Sequence, residues 1–163
     1  MRLEEVFAKD GATLPINTTF MVEDDPLAFP EPVRVTGEVR GNAGIVTLTL
    51  AADTTLHFVC DRCAEEVARP YPVTLQRTLA QTLENEDAEE LVFVPDYELD
   101  VPEVVREELY LQMPSKLLCR EDCQGLCAGC GANLNHGACT CAPEIDPRLA
   151  ALLPLVDKHD STP

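Results

Sequence analysis

Apolar side chains recur at alternate positions on both sides of a turn-forming segment in the first half of the chain. They are Val33, Val35, Val39, Val46, Leu48 and Leu50. A period of two places such side chains on one face of a β-strand, and the intervening Gly41-Asn42-Ala43-Gly44 is typical of a tight turn. The pattern therefore predicts a β-hairpin over residues 32–58.

Extended segments also lie on either side of the first Cys-x-x-Cys motif. Residues 54–59 form an extended run that ends in this motif, and residues 71–83 restart the alternation at Val73, Leu75 and Leu79. We expect the motif to cap a pair of strands. The acidic run at 84–90 has no large apolar side chain and is predicted to be a solvated loop, followed by a short strand at 91–94.

Helical spacing begins after Asp100. This residue suits the N-cap, Glu103 occupies the capping-box position and Pro102 suits the first turn. The apolar side chains that share one helical face are Val101, Val104, Val105 and Leu109. The helix is predicted to end before Pro114.

A second, shorter helix is predicted to start at Asp146-Pro147 and to end at Pro154, with Leu149, Leu152 and Leu153 on one face. We therefore expect an α+β fold: an antiparallel β-sheet with one or two helices and a C-terminal, zinc-stabilised, cysteine-rich lobe. Residues 1–113 would form the β-rich domain with its helix. Residues 114–163 would form the lobe with the C-terminal helix, packed with the first part as one unit.

The chain is strongly acidic. Its 163 residues include 29 Asp and Glu against 12 Lys and Arg, which gives a formal net charge of -17. This balance excludes the broad basic surface that non-specific phosphate binding requires, so a tight direct grip on nucleic acid is not expected. A partner with a basic surface fits the charge better.

The same sequence predicts a cytoplasmic location. No apolar run approaches the roughly 18 residues of a membrane span, and residues 1–10 lack the apolar core of a secretion signal. We therefore expect a soluble protein with no membrane partner. Cysteines stay reduced in the cytoplasm, which favours metal binding over disulfides.

Eight cysteines carry the clearest chemical signal in the chain. Four thiolates at separations of two to four residues are the usual ligands of a closed tetrahedral zinc site. The set with the stronger signal, which has a glycine after its second cysteine, is Cys127, Cys130, Cys139 and Cys141. The remaining set is Cys60, Cys63, Cys119 and Cys123. We predict two structural Zn²⁺ ions, one in each set.

Other uses of the same cysteines stay open at this point. The third and fourth cysteines along the chain could join the fifth and sixth, a single zinc could leave spare thiols, or disulfides could form. His136 could replace one cysteine as a ligand. A thioredoxin-like redox site is disfavoured, because Ala64-Glu65-Glu66 places negative charge where a reactive thiolate would have to form.

The sequence offers no catalytic constellation. Four thiolates close the coordination sphere of zinc, whereas a catalytic zinc keeps an open position. Glu103 and Glu107, four residues apart on the predicted helix, are typical of a solvated face rather than of an acid–base pair. We therefore expect a protein that is not an enzyme.

The cysteine-rich segment has little else to hold it together. The large aliphatic side chains of residues 114–143 are limited to Leu117, Leu118, Leu126 and Leu134. Zinc binding to small peptides contributes about 10–16 kcal/mol, comparable with the roughly 5–15 kcal/mol net stability of a whole domain. The lobe is therefore predicted to depend on metal for its order.

Four features in sequence order resemble one bacterial family. They are the Cys60-Asp61-Arg62-Cys63 motif after a strand, the helix of residues 101–113, the long cysteine motif at 119–135, and Asp146-Pro147-Arg148-Leu149. Together they resemble the YceD family, the large ribosomal RNA subunit accumulation proteins, over about residues 33–153. The resemblance implies a non-enzymatic role in ribosome production that supports accumulation of the large-subunit (23S) ribosomal RNA.

Two functional hypotheses follow. In the first, the chain is an acidic, zinc-stabilised adaptor that binds a basic ribosomal protein or assembly factor, with only indirect or weak contact to ribosomal RNA. In the second, the zinc segment is a ribbon that contacts ribosomal RNA directly. Lys116 and Arg120 are too few cations for several phosphate contacts, which favours the adaptor.

Overall fold

The computed structural model describes residues 1–25, 27–81 and 91–141. Contacts divide the chain into two units. The first comprises Met1–Phe58 and Glu66–Leu117, and the second comprises Val59–Glu65 and Leu118–Pro163. The turn that carries the first Cys-x-x-Cys motif thus belongs with the cysteine-rich segment, whereas the boundary expected from sequence, between residues 113 and 114, separated the two. The predicted acidic loop and the predicted second helix lie outside the described residues.

A five-stranded sheet forms the body of the first unit, with its strands in chain order. The strands are β1 Thr13–Phe20, β2 Val33–Asn42, β3 Ile45–Val59, β4 Glu66–Ala80 and β5 Leu91–Phe93. The described helices are α1 Glu4–Ala8 and α2 Val101–Leu111, with a 3₁₀ turn at Pro95–Tyr97. None of the helices in the described ranges has the length and apolar character needed to span a membrane.

The sheet is mixed, which corrects the expectation of an antiparallel sheet. β2 runs antiparallel to both β1 and β3, whereas β5 pairs with β4 in parallel. Alternation of apolar side chains predicts that a strand exists and which face it buries, but it carries no information about the direction of the neighbouring strand. The short strand predicted at 91–94 is present, and only its direction relative to β4 was missed.

The predicted hairpin is confirmed. Asn42 pairs with Ile45, so the turn consists of Ala43 and Gly44, and both have positive φ, at 50° and 80°. Positive φ at both central residues is what the turn type favoured in two-residue hairpins requires. The run predicted separately at 54–59 is the end of β3, because Ala51 and Ala52 continue the strand although alanine is a poor strand former.

Helix α2 follows its sequence signals closely. Asp100 accepts a hydrogen bond from the backbone N–H of Glu103 at 3.2 Å, as an N-cap should. The side chains that α2 buries are Val101, Val105, Glu108 and Leu109. Glu108 was not expected inside, and its carboxylate is paired there with Arg77 of β4 at 2.7 Å and with Gln112 at 2.7 Å. The helix ends at Leu111, before Pro114 as predicted.

Helix α1 and strand β1 had no counterpart in the sequence-based prediction. Val6 of α1 and Ile16 of β1 contribute to the core, together with Leu3 directly before α1, and each is at most 5% exposed. Strand β1 lies at the edge of the sheet and contains Pro15 and Asn17, two residues that strands usually avoid. Those residues weaken the alternation signal, which explains why the strand was missed.

Candidate metal centres

The structure gathers the eight cysteines into two groups of four, and both groups lie in the second unit. The first cluster consists of Cys60, Cys63, Cys119 and Cys123. The second cluster consists of Cys127, Cys130, Cys139 and Cys141. Within each cluster all the sulfur atoms lie within 4.8 Å of one another. This is the grouping favoured by the spacing, and the alternative that joined the third to sixth cysteines is not adopted.

The distances between sulfur atoms fit a shared tetrahedral cation. The Sγ atoms of Cys60 and Cys123 are 3.8 Å apart, and those of Cys63 and Cys119 are 3.6 Å apart. A zinc ion with Zn–S bonds of about 2.3 Å places its sulfur ligands about 3.8 Å from each other, whereas a disulfide joins them at about 2.05 Å. Each of the eight is a free cysteine. The first cluster therefore has the donor chemistry and the spacing of a closed zinc site.

The second cluster has the same donors in a tighter arrangement. The Sγ atoms of Cys127 and Cys139 are 3.2 Å apart, so this pair would open slightly around an ion of that size. Cys130 and Cys141 are exposed, and the other two are half-buried. In the first cluster three of the four cysteines are buried, and only Cys119 is half-buried. The second site could therefore also hold a metal ion, but in much closer contact with solvent.

The first Cys-x-x-Cys motif is a tight turn between β3 and β4. The backbone N–H of Cys60 donates to the carbonyl of Glu65 at 2.8 Å, and that of Ala64 donates to the carbonyl of Cys60 at 2.9 Å. Ala64, directly after the second cysteine, has a φ of 57°. This left-handed conformation turns the chain back, so that backbone N–H groups can face the sulfur of Cys60.

The second Cys-x-x-Cys motif forms the same turn, with the same pair of backbone hydrogen bonds. The N–H of Cys127 donates to the carbonyl of Ala132 at 2.8 Å, and that of Gly131 donates to the carbonyl of Cys127 at 2.8 Å. Gly131 has a φ of 72°, and the N–H of Gly129 points at the Cys127 sulfur at 3.4 Å. The glycine noted in the sequence thus occupies the position that Ala64 occupies in the first turn.

Backbone donors and crowding together split the pKa values of the thiols in the first cluster. Burial by itself raises the pKa of Cys60, but the N–H groups of Cys119, Cys63 and Arg62 outweigh it and bring the pKa down to about 6. Burial and the neighbouring sulfurs raise the pKa of Cys63 to about 12. Without a cation the four groups cannot all ionise. A bound divalent ion would make the four-thiolate state favourable.

The second cluster shows the same division. The backbone N–H of Cys130, followed by the Cys139 thiol and the N–H of Gly129, lowers the pKa of Cys127 to about 6. The adjacent Cys130 thiol, together with burial, raises the pKa of Cys141 to about 11. In both clusters the first cysteine of the Cys-x-x-Cys motif is therefore the most readily ionised of those with a shifted pKa. Such a thiolate is the natural first ligand for an incoming cation.

His136, which was considered as a substitute ligand, does not enter a cluster, and neither does any other histidine of the described residues. The ring of His136 instead lies against Glu65, with its Nε2 atom 2.6 Å from Oε1 of that residue. His57 lies within β3, and His159 falls outside the described residues. Strand β4 begins at Glu66, so no helix starts after the first motif to lower a thiol pKa as a thioredoxin-like site requires.

Several polar residues around the first cluster were not found from the sequence. Arg62 donates from Nη1 to the carbonyl of Cys123 at 3.0 Å, and its own carbonyl accepts from the N–H of Leu126 at 3.1 Å. Asn135 donates from Nδ2 to the sulfur of Cys123 at 3.3 Å. A single Asn or Arg in a polar loop gives no periodic signal. The one available signal was that both residues lie close to cysteines in the sequence, and this signal does not reveal which atoms they contact.

The family comparison covers most of β3, all of β4 and both cysteine clusters. Residues 48–156, more than half of the chain, match the family model described as large ribosomal RNA subunit accumulation protein YceD. The chain belongs to the YceD family. The matched region includes all eight cysteines of the two clusters. The resemblance to this family, which was inferred from the cysteine motifs and the helix of residues 101–113, is therefore confirmed.

Relatives of this YceD-family chain occur in bacteria and plants. An uncharacterized protein of Mycobacterium tuberculosis is 31% identical over 72% of this chain and 58% of its own length. A chloroplastic large ribosomal RNA subunit accumulation protein YCED homolog of Arabidopsis thaliana is 25% identical over 86% of this chain and 52% of its own length. The chain thus spans little more than half of these relatives. No solved structure gives a significant match to it.

Proposed function

We propose that this chain is a non-enzymatic factor of the cytoplasm that supports accumulation of large-subunit ribosomal RNA. It would act as an acidic adaptor towards a basic ribosomal protein or assembly factor, with a second unit shaped by two structural zinc ions. Family membership supports the biological role. The net charge of -17 is the observation that carries the choice of partner.

The positions of the cations strengthen the electrostatic argument. Arg77 is paired with Glu108 at 2.7 Å and Arg106 with Asp24 at 2.6 Å. Each of these two positive charges is therefore balanced by a carboxylate of the chain itself, and the surplus carboxylates dominate the field that a partner meets. A basic protein is drawn to such a field at long range, whereas a phosphate backbone is repelled by it.

The cations nearest the clusters are also engaged. Arg62 binds the carbonyl of Cys123 at 3.0 Å, and Arg120 binds Asn135 at 2.8 Å and Asp122 at 3.3 Å. Four thiolates around each divalent ion would add further negative charge, about -2 per site. Direct contact of this unit with an RNA backbone is therefore less favourable than contact with a basic protein surface.

Affinity capture of the full chain from cells tests the proposal. Co-purifying proteins and RNA are identified with and without nuclease treatment. We expect basic ribosomal or assembly proteins to remain after nuclease digestion and to be released as salt rises. If all co-purifying proteins disappear with the RNA, the adaptor role is wrong and the RNA-contact alternative gains support.

A variant that removes two positive charges separates the two alternatives. Lys116 and Arg120 are the Lys and Arg side chains of residues 114–141, and both residues are exposed, so an RNA contact of the zinc segment would rely on them. The double variant Lys116→Gln, Arg120→Gln should leave capture of protein partners unchanged. A gel shift on ribosomal RNA that is micromolar in the parent chain, falls steeply with salt and is lost in this variant would instead establish direct RNA contact.

A further inference from the structure

One loop of the second cluster reaches into the first. We call residues 131–138, which lie between Cys130 and Cys139, the bridging loop. Both of its ends are therefore fixed by cysteines of the second cluster. In its middle, the side chain of Asn135 donates from Nδ2 to the sulfur of Cys123, a member of the first cluster, at 3.3 Å.

The amide of Asn135 is held in one orientation. Its Oδ1 atom accepts from the backbone N–H of Gln124 at 2.8 Å and from Nη2 of Arg120 at 2.8 Å. Because two N–H donors face the oxygen, the NH₂ end of the amide must be the one that faces the sulfur. The backbone N–H of Asn135 donates to Oδ1 of Asn133 at 2.9 Å, which fixes the loop locally.

The bridging loop has further contacts with the segment that joins the two clusters. The N–H of Leu134 donates to the carbonyl of Gly125 at 2.9 Å, and Leu126 and Asn133 form an isolated β-bridge. Near its end, His136 lies 2.6 Å from Glu65, whose other carboxylate oxygen is 3.5 Å from the sulfur of Cys63. The loop therefore contacts the surroundings of the first cluster at two separate points.

We propose that Asn135 is a positioning residue that couples the two sites. Metal in the second cluster ties together the two ends of the bridging loop, and the ordered loop holds the N–H···S hydrogen bond that stabilises the Cys123 thiolate. Occupation of the second site then raises the metal affinity of the first. Because binding free energies are reciprocal, occupation of the first site raises the affinity of the second by the same factor.

This inference rests on the metal sites of the proposed function, and the test uses the full chain with Co²⁺ as a zinc substitute whose absorption reports thiolate ligation. Asn135→Asp keeps an acceptor for Gln124 and Arg120 but replaces the donor to Cys123 by a carboxylate oxygen. We expect the affinity of the first site to fall about 10–100-fold. The sulfur-to-metal charge-transfer band of that site should also move to longer wavelength.

A matched control is Asn133→Asp. It makes the same charge change two residues away and keeps an oxygen that can accept from the N–H of Asn135. Its first-site affinity and charge-transfer band should stay close to those of the parent chain. Equal effects of the two variants would show that added charge, rather than the lost donor, is responsible, and would overturn the assignment of Asn135.

Coupling is read from a double-mutant cycle. The second site is removed with Cys139→Ser and Cys141→Ser, and the effect of Asn135→Asp on first-site affinity is compared with and without that site. We expect first-site affinity to fall when the second site is removed, and the effect of Asn135→Asp to shrink. Two bound ions with strictly additive effects would overturn the coupling and leave the metal sites standing. Failure of the parent chain to bind Co²⁺ or Zn²⁺ would instead refute the metal sites themselves.

Discussion

The two cysteine clusters share one backbone design and differ in almost everything around it. Each contains a Cys-x-x-Cys turn with the same pair of hydrogen bonds and a left-handed residue after the second cysteine. The first cluster is buried and brings together cysteines 56 and 63 residues apart in the chain. The second has two exposed and two half-buried cysteines, and Cys127 and Cys139, whose sulfurs lie 3.2 Å apart, are separated by only 12 residues in the chain.

This difference indicates separate physical roles for the two sites. A link between distant residues removes more conformational freedom from the unfolded chain than a link between near ones, so a metal ion in the first site would contribute more to the stability of the second unit. An exposed site exchanges its ion with solvent and chelators more readily. We infer that the first cluster is architectural and that the second can vary its occupancy while the fold persists.

Complete removal of metal should produce the largest effect. With chelator in excess, we expect backbone amides of residues 118–141 to lose protection from hydrogen exchange, while those of β2 and β3 up to residue 58 keep theirs. The apparent binding free energy of a structural zinc ion is about 10–16 kcal/mol, and this stabilisation is lost with the metal. Measurement of exchange by mass spectrometry, with metal content determined in parallel, tests this.

The order of loss during a chelator titration sharpens the comparison. The exposed cluster should release its ion first, leaving one ion per chain and a protected first cluster. Release of the ion of the first cluster before that of the second would contradict the division into an architectural and an exchangeable site. Full protection of residues 118–141 with no metal bound would contradict the need for metal altogether.

Matched cysteine substitutions give the next largest effect. Cys63 and Cys130 are the second cysteines of their motifs, but Cys63 is 3% exposed and Cys130 is exposed. Cys63→Ser and Cys130→Ser should each lower the zinc content from two ions to one. The melting temperature should fall further for Cys63→Ser, because that site joins distant segments. An equal fall would show that burial and chain separation do not distinguish the sites.

How much of this was accessible from the sequence depends on the kind of signal. Cysteine spacing predicted which sulfurs gather, and the alternation around Val33 and Leu48 predicted the hairpin, since both signals repeat along the chain. The N-terminal strand was missed because Pro15 and Asn17 interrupt its pattern. Asn135 was missed because its role depends on a contact with Cys123, 12 residues away, that no local pattern encodes.

Two glycines close to cysteines, Gly125 and Gly131, offer a smaller and more local test. Gly125 has a φ of 76°, and a side chain there would lie 3.0 Å from the carbonyl oxygen of Arg62. Gly131 has a φ of 72° but no heavy atom within 4 Å of that position. Both alanine variants suffer the cost of a left-handed backbone, about 1–2 kcal/mol. Only Gly125→Ala also displaces the carbonyl that holds Leu126.

We therefore expect the free energy of unfolding to fall by about 1 kcal/mol for Gly131→Ala and by about 2–3 kcal/mol for Gly125→Ala. Denaturant titration of the metal-loaded chains measures both. Equal losses in the free energy of unfolding would mean that the backbone of Arg62 moves away from the added methyl group at residue 125 at no measurable cost. In that case the packing difference between the two clusters would have no energetic consequence.

The smallest effect comes from exchanging the left-handed residues themselves. Ala64 occupies in the first turn the position that Gly131 occupies in the second, at a φ of 57°. Ala64→Gly removes a strain of about 1–2 kcal/mol but adds about 0.5–1 kcal/mol of backbone freedom to the unfolded chain. The net result should be a gain of about 0.5 kcal/mol in the free energy of unfolding with zinc bound. A loss instead would mean that the first turn holds Ala64 without strain, so that contacts of its Cβ, rather than backbone geometry, distinguish it from the second turn.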